Sequence, residues 1–375
     1  MGPLTGARAG VGQGMVTGAN LALDIINKHG GVLGHQVKLD AQDDAGDPGD
    51  AVPAAQKLIQ ADNVVAIVGP TALTASVVLP LADKANLPDL MWGGGDAFDA
   101  NTDPHFFRMS PSDTEQSYAM VVYAHSKGWN KVALAIGNTS ADQSLVPGIQ
   151  AAAQKVGMTI TTQVAITIGS TSFRSEISKL FQNKPDAVLA QFDIPSAGVL
   201  FGELAQEGLT STPWVVSNLW YASEFVTSVG KNVASGPIYI ANPASGGPGE
   251  QPFLDALKAA TGKTQPSNGQ EVMWDAVNSW ALGAEQAKSL KFPDVGKGIA
   301  KAADGPGTSC YDYPTCVGMI RSGKAINFDG AASSVDYDKY HNVFGPFDIL
   351  QYQPDGTAKA VVTLSPEEIQ KDLGS

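Results

Sequence analysis

Gly2-Pro3-Leu4-Thr5-Gly6 leads into a helical run that closes on Gly30-Gly31-Val32-Leu33-Gly34, with Val37-Lys38-Leu39-Asp40 and Asp43-Asp44-Ala45-Gly46-Asp47-Pro48 following. Val16, Ala19, Leu23 and Ile26 recur at helical spacing, and Gly30-Gly31 stands where a left-handed C-cap is needed. Val37 to Asp40 reads as a short strand. Asp47-Pro48 then supplies an N-cap and a first-turn proline for a second helix carrying Val52, Ala55, Leu58 and Ile59. Val64 to Val68 is a continuous apolar run, the pattern of a strand covered on both faces, which Gly69-Pro70 should stop before a helix from Thr74 to Ala85. This is a βαβ rhythm.

The rhythm resumes after residue 113. Helix Asp113 to Lys127, strand Lys131 to Ile136, helix Gln143 to Val156, strand Thr159 to Ile166, helix Phe173 to Gln182 and strand Asp186 to Gln191 are expected in turn. Helix Pro195 to Gln206 and strand Trp214 to Val216 continue the series, Gln251 to Lys301 reads as mainly helical, and Ile326 to Val362 returns to short strands. Alternation at this spacing predicts an α/β protein with mainly parallel sheets and helices on both faces.

At 375 residues the chain is too long for one ordinary core, so two domains are expected. A formal net charge of −13 disfavours nucleic acid as a partner, because Lys and Arg must supply the attraction for phosphates. No apolar run reaches the length of a membrane span, and no basic segment followed by an apolar one marks a signal peptide. Cys310 and Cys316 flank Tyr311-Asp312-Tyr313-Pro314-Thr315, whose turn chemistry can bring the sulfurs together. They read as a disulfide, with two reduced structural cysteines as the alternative. Without a nearby His they make a poor metal site. No Gly-x-Ser-x-Gly or His-Glu-x-x-His occurs, and His29, His35, His105, His125 and His341 are scattered.

Taken in order, Pro3-Leu4-Thr5-Gly6, Asn27 to Gly34, Asp43 to Pro48, Val68-Gly69-Pro70, Arg108 with Ser110 to Gln116, Trp274-Asp275-Ala276 and Phe328 to Gly356 resemble the leucine/isoleucine/valine-binding family of periplasmic solute-binding proteins. The resemblance implies two doubly wound lobes joined by three hinge crossings, with a ligand cleft between them. Lobe 1 is expected from 1–112 with 242–330, and lobe 2 from 113–241 with 331–375. It implies a small-molecule ligand, an ABC transporter permease as partner, a monomer, no cofactor and no catalysis. The family's first strand falls ahead of Gly2-Pro3, centrally in the first lobe's sheet. Export to the periplasm or cell surface therefore rests on the resemblance and the cysteine pair.

Carried over residue by residue, the family's ligand positions fall as follows in this chain. The carboxylate-holding serine falls on Leu73, beside Thr71 and Thr74; the next backbone contact falls on Gly94 and the nearby threonine on Asp96. The acidic residue opening the second lobe is kept as Asp113. One tyrosine falls near Ala141 beside Asp142, another on Asp193, and the ammonium-binding glutamate near Asn218, beside Trp220 and Tyr221; the aromatic before Asp-Ala is Trp274. A pocket gaining Asp96 and Asp193 while losing that serine repels a free carboxylate unless the acids are paired or protonated, which points to a cationic, amide-bearing or hydroxyl-rich ligand.

Each position has a structural reading beside it. Asp113 and Gln116 form an Asp-x-x-Gln capping box, Asp96 can make an Asx turn and Asp193 an N-cap, while Trp92 and Trp274 can be core. Two other functions compete with this reading: a ligand-sensing receptor module of the same fold, and an NAD-dependent enzyme. For the second, Gly10-Val11-Gly12-Gln13-Gly14 before a helix and Asp40 after it make a crude Rossmann fingerprint, but the preceding strand is missing and the glycine spacing is wrong. The run reads better as a mobile glycine-rich loop at a cleft rim.

Overall fold

The computed structural model describes residues 1–244 and 246–373. The opening helix spans Ala9–Lys28, burying Met15, Ala19, Leu23 and Ile26 along one stripe, and ends where Gly30 and Gly31 take φ of 95° and 68°. The Gly10–Gly14 run is thus the first turns of this helix, not a loop. An added Cβ at Gly12, Gly14 or Gly18 would meet the backbone of Pro3, Asn268 or Gln270, so the glycines are there for close approach. The opening helix packs chiefly on the helix Gln270–Ala287, which is buried along nearly its whole length.

The chain divides into two compact units, Met1–Pro111 with Ser245–Phe344 and Ser112–Ala244 with Gly345–Ser375, so it crosses between them after 111, 244 and 344. Residues 331–344, assigned from sequence to lobe 2, pack in the first unit instead. Ala331 and Ala332 donate backbone N–H bonds to Asp275 at 2.6 and 2.7 Å, and Val335 and Val343 join its core.

The first unit holds a parallel sheet ordered Ile67–Thr71, Asp89–Trp92, Phe106–Arg108, and a parallel pair of Thr308–Cys310 with Ile326–Phe328. The strand expected to stop before Gly69-Pro70 runs through them to Thr71, with Gly69 at a φ of 85°. Val37 to Asp40, expected as a strand, forms no ladder; beyond it stands only a parallel bridge between Gly2 and Asp43. Cys310 and Cys316 are bridged, with Cα atoms 5.5 Å apart, tying the end of one strand to the helix Tyr313–Arg321.

The second unit is one seven-stranded sheet, ordered from Ala358–Leu364 through Phe347–Tyr352, Ile238–Pro243, Trp214–Ser217, Ala187–Gln191 and Lys131–Gly137 to Thr159–Ile166. Pairing from Ile238–Pro243 onward is parallel, and the two tail strands are joined by antiparallel pairing. Val132, Leu134 and Ile136 enter one core while Ala133 and Ala135 enter another, so the sheet is covered on both faces. Among the described residues, no helix is long and apolar enough to cross a membrane.

Candidate ligand-binding site

In open parallel sheets, ligands sit beyond the carboxyl ends of strands, where loops lead into helix N-termini. The second unit presents three such ends side by side: Gly137, Gln191 and Ser217. After Gly137, Thr139 caps the short helix Ser140–Gln143 and donates from Oγ1 to Asp142 Oδ2 at 2.6 Å. Burial pushes the Asp142 carboxyl above its ordinary value, and the negative charge of Asp193 adds to the effect. After Gln191, Asp193 caps the helix Ile194–Glu207, accepting from the Ser196 N–H at 3.3 Å through Oδ2. Its other oxygen, Oδ1, is buried without a hydrogen-bond partner. That oxygen is a free acceptor beside a second acid.

After Ser217 the chain makes a 3-10 turn, Asn218–Trp220, with Asn218 exposed. Trp220 is a correction to the sequence reading, because it is fully buried and stacks at 4.9 Å on Phe225 and edge-on at 5.0 Å to Phe192. Its Nε1 donates to the Phe192 carbonyl at 2.7 Å, so it anchors the turn from below. The neighbouring Tyr221 is 51% exposed. Asp113 lies at the start of the helix Asp113–Ser126 and accepts from Ser144 Oγ at 2.7 Å. The capping box there is Ser112 with Glu115, one residue ahead of the expected Asp113 and Gln116.

In the first unit, Thr71 ends its strand and its Oγ1 is buried without a partner, whereas the buried Thr74 hydroxyl donates to Asp44 at 3.1 Å. Leu73 is half-buried and comes close to Gly46. Past Trp92, which packs against Gly269, the chain runs through Gly93–Gly95 into the 3-10 turn Asp96–Phe98. Gly94 and Asp96 are both half-buried. A residue not singled out as functional holds this loop. Arg108 is fully buried, donating to Asp99 Oδ1 at 2.7 Å and to the Gly95 carbonyl at 2.8 Å. Ser110 Oγ accepts from the Gly93 N–H at 3.2 Å. Trp274 is the second correction: 1% exposed, it meets Phe253 edge-on at 5.6 Å in the first unit's core.

The candidates thus sort into two sets, one per unit. Thr71, Leu73, Gly94 and Asp96 lie at strand ends of the first, and Asp113, Asp142, Asp193 and Asn218 at strand ends or helix starts of the second. One set offers a hydroxyl, backbone groups and an acid; the other is acidic, and neither contains the nucleophile, base and orienting group of a hydrolytic centre.

Each of the two α/β units gathers polar groups at the carboxyl ends of its parallel strands, the architecture of a periplasmic binding protein. The chain belongs to the periplasmic binding protein family, whose sequence pattern matches residues 1–355. Among curated relatives, the Leu/Ile/Val-binding protein BraC3 of Rhizobium johnstonii is 27% identical over 340 residues, covering 86% of both chains. Among solved structures, the branched-chain amino acid transporter substrate-binding protein LivJ of Streptococcus pneumoniae, in complex with isoleucine, aligns with a TM-score of 0.75 at 22% identity, covering 97% of this chain and 98% of that one. A solute-binding protein of an ABC transporter from R. palustris, in complex with benzoate, aligns with a TM-score of 0.72 at 17% identity, covering 97% and 95%.

Proposed function

We propose that this chain is the extracytoplasmic solute-binding component of an ABC importer, acting as a monomer that closes its two units on a small polar ligand and delivers it to a permease. The observation that carries the ligand class is the partnerless, buried Oδ1 of Asp193 beside Asp142, whose carboxyl is itself pushed up by burial. Two acids so placed favour a ligand that brings a cation or N–H donors, since a buried carboxylate is otherwise costly to ionise. The Thr71 hydroxyl, partnerless in the first unit, can donate to an acceptor at the ligand's other end. An amino acid or an amide meets both demands. Ligands named for the similar proteins, isoleucine and benzoate, differ in whether they carry an ammonium, so the fold leaves that choice to side chains such as these.

The test is a thermal-shift screen of amino acids, amides, polyamines, betaines and polyols, followed by calorimetry of the best ligand. Asp193→Asn and Asp142→Asn should each weaken binding by roughly tenfold or more, as expected for the loss of a charge-assisted hydrogen bond. Asn can still cap the helix at 193, so the unfolding midpoint should barely move there. Affinity unchanged in both variants would move the ligand away from these acids.

A further inference from the structure

At the amino ends of the first unit's strands, the opposite ends from those that carry Thr71 and Gly94, two carboxylates converge on one buried imidazole. His105 directly precedes the strand Phe106–Arg108 and is 5% exposed; its carbonyl accepts from the Asp89 N–H at 2.7 Å, which ties it to the start of the neighbouring strand. Its Nδ1 lies 2.9 Å from Asp103 Oδ1 and 3.0 Å from Asp83 Oδ1, the latter in the last turn of the helix Ala75–Lys84. These three atoms all lie within 4.8 Å of one another. The arrangement is held from several sides. Phe292 packs on the imidazole at 3.7 Å between ring centroids, the Asp103 carboxylate also accepts the His105 backbone N–H at 2.9 Å, and Asn101 Oδ1 accepts the Asp103 N–H at 3.0 Å. Nε2 of His105 is buried without a partner, so the ring's polar engagement is with the two acids alone.

Charge does not balance at this point. A ring nitrogen carries at most one hydrogen, so Nδ1 can donate to one carboxylate and the other is left facing it bare. Protonating the ring sets one positive charge against two negative ones. Among the described residues, neither acid is ion-paired to a Lys or Arg. A divalent cation supplies what is missing, because it takes the Nδ1 lone pair and both carboxylates together and brings the sum to zero. The donor set decides the metal class. An imidazole beside two carboxylates departs from the all-oxygen shells of calcium and magnesium and suits zinc. Zinc bonds of about 2.0–2.2 Å place tetrahedral ligand atoms about 3.3–3.5 Å apart, so the contacts at Nδ1 need open by only a few tenths of an ångström. We propose that Asp83, Asp103 and His105 form a divalent metal site of the zinc class, with three protein ligands and a fourth position open to water. The metal would pin the end of the helix Ala75–Lys84 to the loop that enters the strand Phe106–Arg108. Asp83, whose side chain is 55% exposed, gives the ion its route in.

The test is calorimetric titration of zinc chloride into chelator-stripped protein, with wild type beside Asp83→Asn and Asp103→Asn. Wild type should bind zinc saturably and its unfolding midpoint should rise with zinc concentration. Each variant should weaken the binding by roughly tenfold or more, since loss of even an outer-shell partner of a metal costs that much. Exposed histidines elsewhere also attract zinc, so the site is read separately with cobalt. The visible band of Co²⁺ held in a low-coordinate site should appear with wild type and vanish with Asp83→Asn. Without metal, the Asp83→Asn midpoint should hold or rise, because the substitution removes one of two like charges at Nδ1. No saturable zinc uptake by wild type would overturn the proposal, and so would a zinc affinity unchanged in both variants, which would leave the cluster as an ion pair of His105 with its acids. An equal response to calcium chloride would overturn the zinc class.

Discussion

Trp220 and Tyr221 are adjacent aromatics, and the sequence offers no means of telling which one faces inward. The choice is made by Phe192, Phe201 and Phe225, brought from three other elements to enclose Trp220. Ser112-x-x-Glu115 and Asp113-x-x-Gln116 both satisfy the capping pattern, and only the backbone's entry angle selects the first. Arg108 was visible as a family landmark, but its task was not, because Asp99 and the Gly95 carbonyl meet it only in the folded loop. Replacing it by methionine keeps the stem and removes its bonds to Asp99 and to the Gly95 carbonyl. Arg108→Met should cost about 2 kcal/mol by urea unfolding, less than for a fully buried pair because Asp99 is 30% exposed. Faster amide exchange should be confined to Gly93–Asp99; a variant with unaltered exchange there would mean that Arg108 does not hold the loop.

At the scale of elements, the strands and helices of the second unit up to Ser217 were legible to within a few residues, because each carries its own apolar period between turn signals, whereas the strand Ile238–Pro243 and the short helices before it were not read. Thr159–Ile166 is the strand read from sequence, and Trp214–Ser217 differs by one residue. Misreadings occur where an element depends on a distant partner. Glycines at 10, 12 and 14 look like a loop until Pro3 is placed against Gly12 and Asn268 against Gly14 of the helix Ala9–Lys28. Local propensity and packing then oppose each other, so one substitution separates them. Propensity alone makes Gly18→Ala stabilising by about 1 kcal/mol. An alanine Cβ, however, would press into the Gln270 backbone, so the helices must part and the net effect should be a loss of about 1–3 kcal/mol. A raised urea midpoint for Gly18→Ala would mean that helix propensity outweighs the close approach at Gln270.

For the whole molecule, the two-unit division read from sequence needed all three boundaries moved, the last one most, and the acids in the first unit have consequences that no composition count could reveal. Burial pushes Asp275 up to about 8, Glu271 up to about 7 and Asp304 up to about 6, with neighbouring acids adding to all three. All three lie in the unit Met1–Pro111 with Ser245–Phe344. Each holds a proton in the folded state that the unfolded chain has already released above about pH 4, so their stabilising contribution is full below that pH. It is lost as pH rises through about 6 to 8. Asp89, pushed up to about 8, acts in the same direction, while the buried Met1 ammonium, whose pKa is lowered, acts against it. The first unit should therefore weaken relative to the second on going from pH 5 to pH 8.5, and calorimetry should show a lower-melting transition separating at the higher pH. Glu271→Gln assigns that transition: Glu271 Oε1 has no partner to lose, and an amide cannot ionise. The variant should raise the lower transition at pH 8.5 by the equivalent of about 2 kcal/mol and leave the pH 5 scan close to wild type. A gain equal at both pH values would place the effect in packing instead of titration, and a single transition moving as one at every pH would mean that the two units unfold together.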